Sequence, residues 1–189
     1  QFHPRRMSTW SGFFSSVPRY FREHYSAEVD ALARKWAEEE DYDAAIAVTL
    51  GSAPYAASLN TPFKVLDQHN VEYQVIRRQC EVERSPFKRL RYTPTWIKAA
   101  RYEKSLAAEF DAITVVSDSE RALMEGLLGN GTASCITNHA SRITLAVIPN
   151  GVDPSLLDYH APKKPGMLIF TGSLSYRPNC DAALTLCKE

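Results

Sequence analysis

Short apolar, β-branched runs alternate along the chain with segments whose apolar residues recur at helical spacing. We interpret five runs as strands: Asp43–Thr49, Phe63–Asp67, Ala112–Val116, Ile143–Ile148 and Met167–Thr171. The helical segments begin at Ser26, Tyr55, Pro94, Ser117 and about Pro178. Strands that alternate with helices across short turns are typical of βαβ units. The pattern therefore predicts an α/β fold with a doubly wound parallel sheet.

Three of the predicted helices carry more specific signals. On the first, which Ser26 can cap, the spacing predicts a buried stripe made of Val29, Leu32, Ala33 and Trp36. Ser117 and Glu120 have the spacing of a capping box and predict a helix to about Leu128. Glu103 falls on the otherwise apolar face of the Pro94–Phe110 helix, where we favour a partly solvated face over a buried ion pair with an arginine.

The overall composition narrows the function classes. The 189 residues are 44% hydrophobic and 23% charged, and 22 Lys+Arg balance 22 Asp+Glu. These values are typical of a globular protein, and they exclude global disorder and a nucleic-acid binder that relies on overall positive charge. No apolar run in the sequence approaches the about 18 residues that a membrane-spanning helix needs.

The spacing of the four cysteines indicates a reducing compartment rather than a zinc or redox site. They stand at Cys80, Cys135, Cys180 and Cys187, and no two have the C-x-x-C spacing of a zinc or redox centre. We therefore expect reduced thiols, a reducing compartment and a cytoplasmic location.

Positive charge is concentrated in one stretch. Residues 77–104 hold nine Lys or Arg against three Glu, which gives a net charge of +6. Phe87, Leu90, Tyr92 and Trp96 are interleaved with these charges. Two interpretations stay open: an ordinary solvated face, which we favour, and a surface that touches anionic lipid or a phosphorylated acceptor.

Small or polar residues follow every predicted strand. Ligands of open parallel sheets bind outside the carboxyl ends of the strands, where backbone N–H groups and helix N-termini favour an anion. The residues at these ends include Thr49, Gly51 and Ser52, then Asp67, His69, Asn70 and Glu72, then Ser117 and Asp118, then Asn150, Gly151 and Asp153, then Gly172 and Ser173. Their alignment predicts a cleft that binds a phosphate or a sugar.

Several of these stretches resemble glycosyltransferase family 4. The resemblance is carried by Val147–Asp153 (VIPNGVD) and Leu168–Ala183 (LIFTGSLSYRPNCDAA), with weaker support from Leu66–Glu72 and Ala112–Ser117. It covers roughly residues 20–189. The first two stretches look like the junction between the family's two domains.

The resemblance implies a GT-B fold of two Rossmann-like domains that face each other across a cleft. Residues 1–160 would form the N-terminal, acceptor-side domain, 161–165 a linker, and 166–189 the truncated start of the donor-binding domain. The activity implied is transfer of a sugar, with retention of anomeric configuration, from a nucleotide-sugar donor to a glycan or lipid-linked acceptor. This role belongs to polysaccharide biosynthesis and implies no metal and no other cofactor.

The resemblance also implies site residues. His69 lies near the family's histidine that contacts the transferred sugar or the acceptor, and we expect it to be catalytic. The expected donor-binding residues are Gly172, Ser173, Arg177 and Asn179, and the expected acceptor-binding residues are Gly51, Ser52, Asn70 and Glu72. A peripheral contact with the inner face of an anionic membrane would suit a lipid-linked acceptor.

The sequence also departs from the family pattern. Arg177 follows the Gly172 turn, but no lysine accompanies it, and the family's donor-binding carboxylate pair and glycine-rich first loop have no counterpart in the chain. We therefore expect a fragment that is inactive alone. Two alternatives remain: a nucleotide-sugar epimerase on the same fold, and a non-catalytic α/β binding or regulatory module.

Overall fold

The fold is described from a computed structural model, for residues 15–129, 143–157, 165–175 and 177–188. The chain divides into two compact units, Gln1–Asn150 and Gly151–Glu189. Each unit is described by itself below. Most of the predicted linker, residues 161–164, lies outside the described residues.

The first unit alternates strands and helices as the sequence predicts. Its elements are α1 (Arg19–His24), α2 (Ala27–Glu39), β1 (Ala44–Val48), α3 (Ala53–Ala57), β2 (Phe63–Gln68), α4 (Glu72–Val82), α5 (Pro86–Ala107), β3 (Ala112–Val115), α6 (Asp118–Leu128) and β4 (Thr144–Val147). Both predicted N-caps are confirmed, because the Ser26 hydroxyl accepts the amide N–H of Val29 and the Ser117 hydroxyl accepts that of Glu120.

The four strands form one parallel sheet in the order β1-β2-β3-β4. The α/β class and the parallel sheet are thus confirmed, and the fold is consistent with a Rossmann-like domain. Because all four strands run in the same direction, their carboxyl ends lie at one edge of the sheet. The register brings Val48 beside Asp67 and Asp67 beside Thr114, and we call this border the carboxyl edge.

The two faces of the sheet differ in how deeply their side chains are buried. On one face Ala47, Leu66 and Ile113 are buried in a core shared with side chains of α3, α5 and α6. On the other face Ile46, Val48 and Phe63 are 65%, 50% and 45% exposed. Right-handed crossovers that always step in one direction place their helices on the same face. Within the described residues, this arrangement covers one face and leaves the other open.

Two helical expectations are wrong, and one helix was not predicted. The stripe predicted on α2 is not buried, since Val29, Leu32 and Trp36 are each more than two-fifths exposed beside the outermost strand. The helix that we expected to begin at Pro94 begins at Pro86, and Pro94 lies inside it. The preceding helix α4 was not predicted, because its outward residues are charged and its apolar residues pack on α5 rather than on the sheet.

The second unit contains a 3₁₀ turn at Pro154–Leu157 and one helix, α7 (Arg177–Leu186). The strand predicted at Met167–Thr171 is not formed. Leu168 and Ile169 there are 83% and 86% exposed. A single strand with no neighbour to satisfy its backbone N–H and C=O groups is not stable, and this accounts for the difference.

Candidate functional site

The carboxyl edge places Asp67 at the end of β2, between the ends of β1 and β3. One oxygen of its carboxylate, Oδ1, accepts a hydrogen bond of 2.5 Å from the hydroxyl of Thr114 on β3. Its backbone carbonyl accepts the amide N–H of Thr49, which follows β1, at 2.8 Å. Asp67 is thereby fixed from both sides, and its second oxygen points to the loop after β2.

His69 is the partner of that second oxygen. Its Nε2 lies 3.3 Å from Oδ2 of Asp67, and the imidazole is about half exposed, at 49%. An ionised carboxylate can only accept hydrogen bonds, so in the neutral imidazole Nε2 carries the proton and Nδ1 keeps its lone pair. The arrangement presents an oriented base or acceptor to solvent at the carboxyl edge.

The turn after β1 contains a strained residue. Thr49 has φ 72°, the only positive φ of a residue other than glycine in the described part of the chain. A β-branched residue rarely takes this conformation, and such strain tends to occur at functional sites. The hydroxyl of Ser52 donates to the carbonyls of Val48 and Thr49, at 2.6 and 3.1 Å. Ser52 and the exposed Gly51, both predicted acceptor residues, therefore belong to this turn.

The loop after β2 is short and firmly anchored. His69 and Asn70 are exposed, while the flanking Gln68 and Val71 are buried. The amide N–H of Val71 donates to Oε2 of Glu120 on α6 at 2.7 Å. Only one half of the predicted capping box is formed. The Ser117 hydroxyl caps α6, but the side chain of Glu120 accepts the N–H of Val71, the residue before α4.

Glu103 is the other anchor, and it is completely buried. Its Oε1 accepts the side-chain amide of Gln68 at 3.1 Å and the backbone N–H of Glu72 at 3.0 Å, and its Oε2 accepts the backbone N–H of Tyr73 at 2.8 Å. The expectation of a partly solvated face at this position is wrong. The carboxylate instead occupies the N-terminus of α4, where backbone N–H groups lack helical partners.

Burial shifts the pH at which this carboxyl group ionises. Desolvation raises the pKa of Glu103 from its usual 4.5 to about 7, although the hydrogen bonds from Tyr73, Glu72 and Gln68 favour the ionised form and oppose the rise. Desolvation also raises the pKa of Glu72, the predicted acceptor residue at the first position of α4. The N-terminus of α4 is therefore occupied by protein carboxylates.

The predicted donor residues lie together in the second unit. The side-chain amide of Asn179, on α7, donates to the carbonyl of Ser173 at 3.1 Å. A Cβ on Gly172 would lie 2.7 Å from the Nδ2 atom of Asn179, so glycine permits this close approach. Arg177 is the first residue of α7. The turn and the start of the helix are thus held as one compact piece.

The structure has a cavity of about 390 Å³ away from the carboxyl edge. It runs along the outer side of β1, and Trp36, Tyr55 and Leu59 are among its mainly apolar lining residues. Small alanine side chains on β1 leave this space. Of the predicted site residues only Ser52 borders it, so the cavity and the His69 loop are separate features.

Metal-ligating side chains do not gather in the described residues. No group of three or more His, Cys, Asp or Glu there is placed to hold an ion. Asp67 and His69 form a pair joined to a hydroxyl, which suits hydrogen bonding to a polar ligand such as a sugar.

The site contains residues that the sequence analysis did not select. Asp67 was named among the strand-end residues of the predicted cleft but without a role of its own, Thr114 was only part of a predicted strand, and Glu103 was misjudged. Side chains two residues apart on a strand share one side of the sheet, so the Asp67-x-His69 spacing was the available signal. The contact between Gln68 and Glu103 joins residues 35 positions apart and has no local signal.

Comparison with protein-family models, with curated proteins and with solved structures gave no match to this chain. The likeness to glycosyltransferase family 4 accordingly rests on the sequence motifs.

Proposed function

We propose that the chain is a fragment of a retaining glycosyltransferase of the family 4 type, with a GT-B fold, and that the full-length enzyme transfers a sugar from a nucleotide-sugar donor to a glycan or lipid-linked acceptor. The observation that carries the proposal is the oriented imidazole of His69 at the carboxyl edge of a parallel sheet, held by Asp67, whose other carboxylate oxygen accepts the hydroxyl of Thr114. This edge is where open α/β sheets bind ligands.

The chemistry of the edge suits a polyhydroxylated ligand. With Nε2–H directed at Asp67, the Nδ1 atom of His69 accepts a hydrogen bond from a sugar hydroxyl. Asn70, exposed beside it, offers both a donor and an acceptor. In this proposal the Gly172–Ser173 turn meets the donor diphosphate with backbone N–H groups, and Arg177 supplies positive charge for the leaving group.

We expect a panel of nucleotide sugars to identify the donor by thermal shift. A donor present at about 100 times its dissociation constant stabilises the folded state by about 2.7 kcal/mol. For a chain of this size that corresponds to a rise in melting temperature of about 5–10 °C. The measurement is a melting curve of the full-length protein with each nucleotide sugar and with the matching free sugar and free nucleotide.

The controls separate the alternatives. A rise with one nucleotide sugar, together with release of its nucleoside diphosphate when acceptor is added, supports the transferase. Stabilisation without any release of nucleoside diphosphate favours the non-catalytic binding module. A flat response to the whole panel contradicts the proposal.

A second proposal concerns the tip formed by the end of α4 and the start of α5. Val82, Phe87 and Leu90 protrude there and are 74%, 85% and 74% exposed. The side chains of Arg78, Arg84, Lys88 and Arg89 are also exposed around them. Apolar side chains ringed by cations suit the headgroup region of an anionic bilayer. None of the helices in the described residues has the length and apolar character to cross a bilayer. The contact that we propose is peripheral.

We expect the protein to co-sediment with vesicles of phosphatidylcholine and phosphatidylglycerol, and less with phosphatidylcholine alone. Each cation near the surface contributes about 1 kcal/mol, so binding should weaken as salt rises. Phe87→Ser should lower the bound fraction, whereas Leu32→Ser, at a 44% exposed position on α2, should not. Binding that ignores both lipid charge and salt would count against this contact.

A further inference from the structure

We propose that Glu103 is a positioning residue for His69. Its buried carboxylate joins the end of β2 to the start of α4 and so fixes the three-residue loop between them. This inference rests on the proposed function of His69, and it assigns to the site a residue that contacts no substrate.

The geometry supporting this is a clamp on both sides of one loop. Before the loop, the side chain of Gln68 donates to Oε1 of Glu103; after it, the backbone N–H groups of Glu72 and Tyr73 donate to Oε1 and Oε2. Only His69, Asn70 and Val71 lie between these anchors. A loop this short, tied at both ends to one carboxylate, has little freedom to reposition its histidine.

The buried amide of Gln68 gives independent support. Its Oε1 is buried and has no hydrogen-bond partner within the described residues. An unmade buried hydrogen bond is costly, and the reversed amide would turn the nitrogen away from Glu103. The orientation with nitrogen toward Glu103 is the one that an acceptor-only carboxylate requires. The Gln68 side chain therefore keeps its hydrogen bond to Glu103 and leaves its own Oε1 without a partner within the described residues.

Glu120 is the second carboxylate of the region, and its hydrogen bonding differs from that of Glu103. Among the residues that the structure describes, Glu120 accepts the N–H of Val71 alone, the last residue of the loop. Only Glu103 reaches residues on both sides of His69, so the clamp proposed here is a property of Glu103. Because His69 also contacts Asp67, a shift of the loop would alter the Nε2–Oδ2 distance of 3.3 Å.

The test is Glu103→Gln in the full chain, a change that keeps the shape and places an –NH₂ group against the N–H donors. Loss of these hydrogen bonds should make hydrogen exchange of the Glu72 and Tyr73 amides at least about tenfold faster. Exchange at Ile113, in the core of β3, should change by less than about twofold. The ring ¹H and ¹⁵N signals of His69 should move, and Glu109→Gln, at an exposed position just beyond α5, should leave all of these unchanged.

The kinetic readout separates positioning from general stability. A misplaced histidine should lower kcat by at least about tenfold and leave the KM of the donor within about twofold, because small displacements of reacting groups are costly. Unmoved His69 signals, or unchanged Glu72 and Tyr73 exchange, would overturn the inference. If the full-length unmodified protein transfers no sugar, the proposed function fails, while exchange and the His69 signals still decide whether Glu103 fixes the loop.

A second variant tests the inference even if Glu103→Gln does not fold. Gln68→Met keeps the volume and removes only the link before the loop. The His69 signals should then move while the Glu72 and Tyr73 amides keep their slow exchange. If Gln68→Met leaves the His69 signals in place, Glu103 does not act on the histidine through β2 and the clamp is refuted.

Discussion

Replacing His69 by alanine should lower turnover by about a hundredfold, the usual range for removing a general acid–base or oriented hydrogen-bonding group. The imidazole is held toward Asp67 by a single hydrogen bond and is half exposed, so the loss should come from the reaction and not from folding. The measurement is the steady-state rate of nucleoside diphosphate release with the donor found in the thermal-shift panel.

The matched control is His24→Ala. His24 is an exposed histidine on α1 whose Nδ1 contacts the Tyr20 carbonyl at 2.7 Å, far along the chain from the carboxyl edge. Its loss should change turnover by less than about twofold, as is usual for surface substitutions. Equal rates for His69→Ala and the unmodified protein would remove the histidine from the mechanism.

Stability should depend on pH through Glu103. The folded protein raises the pKa of this group from its usual 4.5 to about 7, so between these values the folded state binds a proton that the unfolded chain has released. Its stabilising contribution is therefore complete below pH 4.5 and is lost as the pH rises through about 7. Each pH unit between the two pKa values contributes about 1.4 kcal/mol, so the free energy of unfolding should fall by about 3 kcal/mol across this range.

Other groups titrate in the same range, so the quantity to measure is a difference. The free energy of unfolding in urea, taken for the unmodified protein minus that for Glu103→Gln, should fall by about 3 kcal/mol across this window. Glu72, whose pKa burial also raises, remains in both proteins, so its contribution largely cancels. A difference that stays constant, or one that rises with pH, would show that Glu103 is not a neutral acid in the folded protein at low pH.

The fold was largely predictable because its signals are local. Each strand of the sheet lies in a short run of mainly apolar residues, and Ser26 and Ser117 cap their helices with hydrogen bonds to nearby residues. The errors arise where tertiary contacts decide. Pro94 suggested a helix start, yet packing against α4 carries the helix through it, and the Met167–Thr171 run has no partner strand in the described residues.

The candidate site was predictable only in outline. A parallel sheet collects its carboxyl ends at one edge, and this placed His69, Asn70 and Ser52 in the right region. Which groups hold His69 depends on contacts across long separations, such as the 47 positions between Asp67 and Thr114. A glutamate on an apolar helix face gives no sign of the three donors that it receives, since two of them are backbone groups.

The order of the sheet also has a consequence for how the chain folds. Every strand pairs with the strand next to it in the sequence, so each pairing closes one loop and none requires another strand to be threaded between two that already touch. Loop-closure entropy grows with loop length, and the shortest connection is the one that joins β1 to β2. The Thr49–Asp67 corner should therefore assemble early, whereas the Thr114 hydroxyl reaches Asp67 only after the α4–α5 hairpin has formed and shortened the path to β3.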